Sequence, residues 1–295
     1  MLGRCRRRVL LCDVGRQRNL SSRKMHGYLT RDGLDPSEFL RLGRAELGQY
    51  GTIEYRELEI VDARRAPGGF EVVAGDGTAI SARKLLLASG VVDELPDLEG
   101  LAECYGISIH HCPYCDAWEW QDQPLGVYGD PDTAPGLALT LTSWSSDIVV
   151  CTDGRALPED AASRLAAAGI LVRPERVVRL EGRDGLLDRI VFANAPALSL
   201  RALFVCAGQR QASDLARRLG CLFTDQGAVN TGKCEATNVP GLYVAGDASR
   251  EAQFVVLAAA EGAEAGMAIH KALADEDLAH QNKSSIPSRA SRGLP

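Results

Sequence analysis

The chain reads as an α/β fold built from two similar halves, and three observations carry that reading. Short apolar runs that end in an acid or a glycine recur, with helical patterns between them, which is the order of parallel strands with crossover helices. An antiparallel block interrupts the first half, where Gly75-Asp76-Gly77 stands between alternating segments. A tight Cys112-Pro113-Tyr114-Cys115 then precedes a second run of strands and helices. A chain of 295 residues is long enough for about two domains with a sizeable core.

Val9-Leu-Leu-Cys-Asp13 is a short apolar run closed by an acid, the pattern of a buried parallel strand. Asp35-Pro36-Ser37-Glu38 is a helix start, with Asp35 as cap, Pro36 in the first helical position and Glu38 two residues on. Phe39, Leu40, Leu42 and Leu47 give that helix its apolar face. Residues 54–63, 70–74 and 78–82 alternate as strands, and 84–88 return to a buried strand that ends at Ser89-Gly90. In the second half, 125–129, 147–152, 189–193 and 201–208 read as strands, and 137–144 and 161–168 as helices. The last unit is a strand over 242–247 and a long helix over 254–273, and the tail 282–295 is expected to be disordered.

Composition narrows the function. A formal charge of −6 argues against nucleic acid or an anionic membrane as partner. No apolar run approaches the ~18 residues of a membrane span. The basic start, Met1 to Arg8, is followed by only Val9-Leu10-Leu11-Cys12 before Asp13, too short for a signal-peptide core, so a cytoplasmic protein is expected.

Cys112 and Cys115, followed at once by Asp116, carry the most chemistry. Two thiols in this spacing can close a disulfide and so shuttle two electrons. Nine cysteines in 295 residues is too sparse for a disulfide-stapled secreted domain. The thiolate is the reactive species, and Asp116 can carry the accompanying proton. A zinc site would use His110, His111, Cys112 and Cys115, but no second C-x-x-C completes it, and no metal is expected. Glutaredoxin-like domains also carry C-P-Y-C, opening a helix, whereas Pro124 soon breaks any helix here.

Thr237-Asn-Val-Pro-Gly-Leu-Tyr-Val-Ala-Gly-Asp247 is the second strong motif: a strand delivers Gly246 into a turn and Asp247 to the mouth of the following helix. It resembles the flavin signature of flavoproteins with two dinucleotide-binding domains. With the C-x-x-C-Asp and the Leu-Leu-Leu-Ala-Ser-Gly90 segment, the chain resembles the low-molecular-weight thioredoxin reductases from Leu2 to about residue 278. The resemblance implies two Rossmann-like, three-layer nucleotide-binding domains, the second inserted into the first. Residues 1–111 and 210–281 would bind FAD, and 112–209 would form the NAD(P)-binding-like domain carrying the cysteines. It further implies Cys115 as the flavin-proximal sulfur, Cys112 as the sulfur that meets substrate, and Asp116 as acid. Asp247 would bind the ribityl chain, Ser89 and Gly90 would close on the flavin, and Asp13 would hold the adenosine ribose. Gln253 would sit where the last helix starts, its dipole favouring charge on reduced flavin. His26 is either a flavin contact or a plain loop histidine. A thioredoxin-like protein or small disulfide would be the partner, and a homodimer the assembly.

Two departures matter. No strand and G-x-G-x-x-G precede Leu2-Gly3-Arg4-Cys5, which look like the end of the first helix, so Met1 is expected to be internal to a longer natural protein, or the chain a decayed product. In the second half, Gly129 and Ala134 fit the first and third positions of the glycine fingerprint, but Pro131 takes the second and has no N–H. Asp153 opposes a 2′-phosphate, with Arg155 as weak compensation, which leaves NADPH, NADH or no nicotinamide open. Three functions compete: a FAD-dependent disulfide reductase drawing on NAD(P)H, a flavin-dependent dithiol oxidase passing electrons to oxygen, and a non-catalytic remnant.

Overall fold

The computed structural model describes residues 1–284 as two compact units. Met1–Arg16, Gly43–Val91 and the chain from Gln211 form one; Gln17–Leu42 and Val92–Arg210 form the other.

The second unit is built on a five-stranded parallel sheet. Its order is Leu171–Arg173, Ile148–Cys151, Leu125–Tyr128, Ala202–Val205, Ile109–His110. Successive side chains on a strand point to opposite faces, and both faces are covered. Leu125, Val127, Ile148, Val150 and Phe204 pack against Ala134, Ala138, Leu141 and Leu165 of the helices Ala134–Leu141 and Glu159–Ala167. The alternate residues Tyr128, Val149, Cys151, Leu203 and Val205 pack against Leu180, Leu187, Ile190 and Phe192 of the antiparallel strands Val177–Arg183 and Leu186–Phe192. Three layers result, and double-sided burial explains why these strands read as unbroken apolar runs.

The domain break expected at 111/112 falls earlier. Ile109–His110 is an edge strand of this sheet, paired with Ala202–Val205, so residues 92–111 belong to the second unit. Residues 17–42 join it as well, held in part by Arg18, whose Nε donates to Asp93 at 2.8 Å. The helix expected over 137–144 is Ala134–Leu141, because a turn held by Asp130 leads into its start and its end closes in a turn at Trp144.

In the first unit, Val9–Asp13 pairs in parallel with Ile53–Glu57, and Leu85–Leu87 with Leu242–Val244, as two separate two-stranded sheets. The strand expected over 54–63 is therefore split: Ile53–Glu57 joins the parallel pair, whereas Ile60–Ala66 joins the antiparallel sheet with Gly69–Ala74 and Ala79–Ala82. Leu87, Leu242 and Val244 bury against Phe70 and Val72, while Tyr243 and Ala245 meet Ala265 and Ile269 of the long helix Val255–Ser284. That helix outruns its expected end because its later turns are pinned by ion pairs of Asp277 with Arg7 and Arg83, each 2.7 Å, and of Glu276 with Lys84. Residues 282–284 of the expected disordered tail are thus helical, and the rest of that tail lies outside the described residues.

The first residues carry the hydrogen bonds of a helix C-terminus. Arg7 N–H donates to Leu2 O at 3.0 Å and Arg6 N–H to Gly3 O at 2.9 Å, with Arg6 left-handed at φ 56°, the pattern of a Schellman motif. Among the described residues no helix is long and apolar enough to cross a membrane.

Candidate redox site and nucleotide loops

Cys112 and Cys115 are joined as a disulfide, their Cα atoms 5.4 Å apart. The bridge is made across one helical turn: Cys112 is the extended residue before the short helix Pro113–Asp116, and Pro113 takes the first position, where a missing N–H costs nothing. Tyr114, between the two sulfurs, is 68% exposed and Trp118 66%, so aromatic surface flanks the bridge. The other seven cysteines are free, and burial raises the thiol pKa of Cys104, Cys151, Cys206 and Cys221.

The two histidines before the motif turn to different partners. His110 is buried, its Nε2 accepting the indole N–H of Trp120 at 3.1 Å and its Nδ1 3.3 Å from Asp116 Oδ1. His111 accepts Arg18 Nη2 at its Nε2 (2.9 Å), so its Nδ1–H is directed to Tyr105 Oη (2.8 Å), whose hydroxyl donates to Asp93 at 2.9 Å. Burial and then Arg18 hold His111 below its ordinary pKa. Burial pushes Tyr105 far above its ordinary value; for Asp93 burial also acts upward, but the Arg18 hydrogen bond and the nearby charges outweigh it and leave the carboxyl low. Neither imidazole is aimed as a zinc ligand, and among the described residues no group of three or more His, Cys, Asp or Glu stands together as a metal cage. His26 lies in this unit too, with its ring nitrogens 3.3 Å from Asp32 and 3.2 Å from Glu119.

The flavin-type residues Asp13, Ser89, Gly90, Gly246, Asp247 and Gln253 all fall in the first unit. Gly90 and Gly246 follow the neighbouring parallel strands Leu85–Leu87 and Leu242–Val244, with φ of 67° and 81°, a region that favours glycine. Their turns abut: a Cβ on Gly90 would lie 4.0 Å from Asp247 Cβ. Paired turns at the carboxyl ends of parallel strands suit the ribityl end of a flavin. A brace on two buried carboxylates holds this turn, unforeseen from sequence. Gly246 N–H donates to Glu261 at 2.6 Å, and Arg250 links Glu261 (2.6 Å) to Glu235 (2.9 Å). Gln253 precedes the long helix and donates to Arg250 O at 3.4 Å. Asp13 ends its strand with its carboxylate on Gly15 N–H (2.9 Å) and Arg44 (2.7 Å).

The nucleotide-type loop of the second unit is filled by its own side chains. Asp130 accepts the N–H groups of Asp132 and Thr133, each at 3.0 Å, and the Thr133 hydroxyl at 2.8 Å. Asp130 thus holds the turn that leads into the helix, and the amides a pyrophosphate would use are spent on a carboxylate. Arg155 folds back to donate to Gly129 O (3.1 Å) and Thr152 O (3.3 Å). Ala134 is fully buried, and Asp153 accepts Tyr128 Oη (3.1 Å) and Val177 N–H (2.8 Å). A Cβ on Gly129 would collide with Cys206 at 2.6 Å, so this glycine serves strand packing. These residues, as arranged, do not fit a dinucleotide phosphate.

A family model described as "Pyridine nucleotide-disulphide oxidoreductase" matches residues 6–262. The chain belongs to that family. Within it the chain is a thioredoxin reductase-like oxidoreductase, with the α/β, two-domain Rossmann-like fold of its structural neighbours. The crystal structure of HlmI superposes with TM-score 0.94 at 36% identity, covering 98% of this chain and 92% of that one. "Thioredoxin reductase aclD" of Aspergillus oryzae is 26% identical over 296 residues, 94% of this chain and 93% of that protein. A protein of Arthroderma benhamiae named "Probable thioredoxin reductase" is 35% identical over 159 residues, and there the match spans 52% of this chain and 39% of that protein.

Proposed function

We propose that the chain is a FAD-dependent thiol-disulfide oxidoreductase whose working pair is Cys112 and Cys115, acting on a thioredoxin-like protein or a small disulfide or dithiol. The observation that carries this is the Cys112–Cys115 bridge on a half-buried one-turn helix, with Tyr114 exposed between the cysteines and Asp116 beside them. In the reducing direction the Cys112 thiolate attacks a substrate sulfur and forms a mixed disulfide. The Cys115 thiolate then displaces the substrate, restoring the protein bridge, and Asp116 gives a proton to the departing thiolate. Two electrons and two protons pass from the dithiol to the substrate. FAD, when bound, supplies the two-electron centre that recharges or drains the pair. Ser89, Gly90, Gly246 and Asp247 would hold its ribityl end, Asp13 its ribose, and Gln253 would lie at the start of the last helix; His26 is assigned to its carboxylate partners.

Electrons from NAD(P)H are the family's general source, but the loop that carries Gly129, Ala134 and Arg155 does not, as arranged, fit the nucleotide's phosphates. The Asp130 turn favours a second reading, in which the pair is charged by a substrate dithiol and drained to oxygen through the flavin. The deciding experiment offers FAD-loaded chain NADH, NADPH or dithiothreitol in turn without oxygen. Bleaching of the flavin bands by a nicotinamide supports the reductase. Bleaching by the dithiol alone supports the oxidase. No bleaching by any donor contradicts both.

A further inference from the structure

Asp116 has a fixed neighbour that the redox pair alone does not account for. An indole N–H can only donate, so the 3.1 Å contact from Trp120 makes His110 Nε2 an acceptor. The neutral ring then carries its proton on Nδ1, the atom 3.3 Å from Asp116 Oδ1. The ring is 5% exposed and is held by Phe204, with ring centres 5.6 Å apart, and by Trp120. His110 stands two residues before Cys112 on a strand of the parallel sheet, and Asp116 follows Cys115, so the contact closes the redox turn from both flanks.

We propose that His110, locked in the Nδ1–H tautomer by Trp120, is the positioning residue of Asp116. Its N–H favours the carboxylate formed when Asp116 gives up a proton, and orients the other carboxyl oxygen for the cysteines. The proposal rests on Asp116 being the acid of the reaction above. In that step the mixed disulfide between Cys112 and the substrate breaks, the Cys112–Cys115 bond forms, and the proton moves from Asp116 to the departing substrate sulfur, so charge and electrons balance.

Acid assistance matters for a basic leaving thiolate and not for a poorly basic one. The test therefore uses full-length chain with Cys112 and Cys115 reduced, and two probe disulfides, 2-hydroxyethyl disulfide and the aryl disulfide DTNB. Oxidation of the pair is followed by peptide mass spectrometry after alkylation. His110→Gln keeps an acceptor for Trp120 but loses the donor toward Asp116. It is expected to slow the alkyl disulfide roughly tenfold, with DTNB within about twofold. His110→Asn keeps an N–H near the Nδ1 position and is expected to retain most of the rate. Asp116→Asn should match His110→Gln, and the double variant should be no slower than either. Equal loss on both probes, or a rate in His110→Gln equal to the parent, overturns the role of His110. No effect of Asp116→Asn overturns the acid assignment itself. If His110→Gln does not fold, Trp120→Phe frees the tautomer: a slower alkyl reaction with DTNB unchanged supports the lock, and a parent-like rate overturns it.

Discussion

Asp130 should show two opposite effects that a single pair of substitutions separates. Its carboxylate accepts two backbone N–H groups and one hydroxyl in the turn that leads into the helix Ala134–Leu141. Losing such an acceptor costs about 0.5–2 kcal/mol, and losing a negative charge at a helix N-terminus about 0.3–1 kcal/mol. Asp130→Ala should therefore lose about 1–2 kcal/mol, or about 2–8 °C in midpoint for a domain of this size. Asp130→Asn keeps an accepting oxygen and should stay within about 0.5 kcal/mol of the parent. Both remove a charge from the position a pyrophosphate would take, so both should bind NADH more tightly than the parent. Denaturant unfolding gives the stability, and quenching of tryptophan emission by NADH gives the affinity. Unchanged stability in Asp130→Ala would refute the part Asp130 plays in the turn. Unimproved binding in both variants would refute the idea that this carboxylate keeps the nucleotide out.

Three further outcomes follow from the same structure. His111 is held neutral in the fold by burial and Arg18, whereas the unfolded chain protonates it below about pH 6.5; stability should fall as pH drops from there, and His111→Asn should flatten that slope in denaturant midpoints measured from pH 7.5 to 5. Leu203, fully buried between the parallel and antiparallel sheets, should cost about 2–5 kcal/mol as Leu203→Ala by the same unfolding assay, and a loss under about 1 kcal/mol would mean the two layers are not packed through it. Asp247→Ala should release FAD from the purified chain; an unchanged ratio of flavin to protein absorbance would remove Asp247 from the flavin site.

Much of the fold was legible because burial is written in short-range pattern. The strands Leu125–Tyr128 and Ile148–Cys151 carry no polar side chain turned to water since both sheet faces are covered, and Asp35-Pro36 announced a helix whose cap holds Ser37 and Glu38 N–H groups at 2.8 and 3.1 Å. The Asp130-Pro131 pair likewise draws two following N–H groups onto a carboxylate, in the turn before a helix, yet inside a glycine fingerprint it reads as a damaged phosphate loop. Local sequence cannot say whether an amide meets a ligand or a neighbouring carboxylate. The domain break near residue 111 was misjudged for a different reason: Ile109–His110 is a two-residue edge strand, too short to have a period, and only its pairing with Ala202–Val205 assigns it. Nor could sequence reveal the Arg18–Asp93–Tyr105–His111 network or the Glu235–Arg250–Glu261 brace, whose members come from separated stretches of chain. One hint was present: Glu261 stands directly after Ala258-Ala259-Ala260, near the start of the last helix.

The central claim is that Cys112 and Cys115 exchange electrons with a bound flavin. Its most direct test is an anaerobic dithionite titration of FAD-loaded chain, monitored in the visible spectrum, beside the Cys112→Ser and Cys115→Ser variants. The account predicts that the parent takes up two electrons more per flavin than either variant before the flavin is fully reduced. Equal uptake in all three proteins would contradict it, and would leave the disulfide with no electronic link to the cofactor.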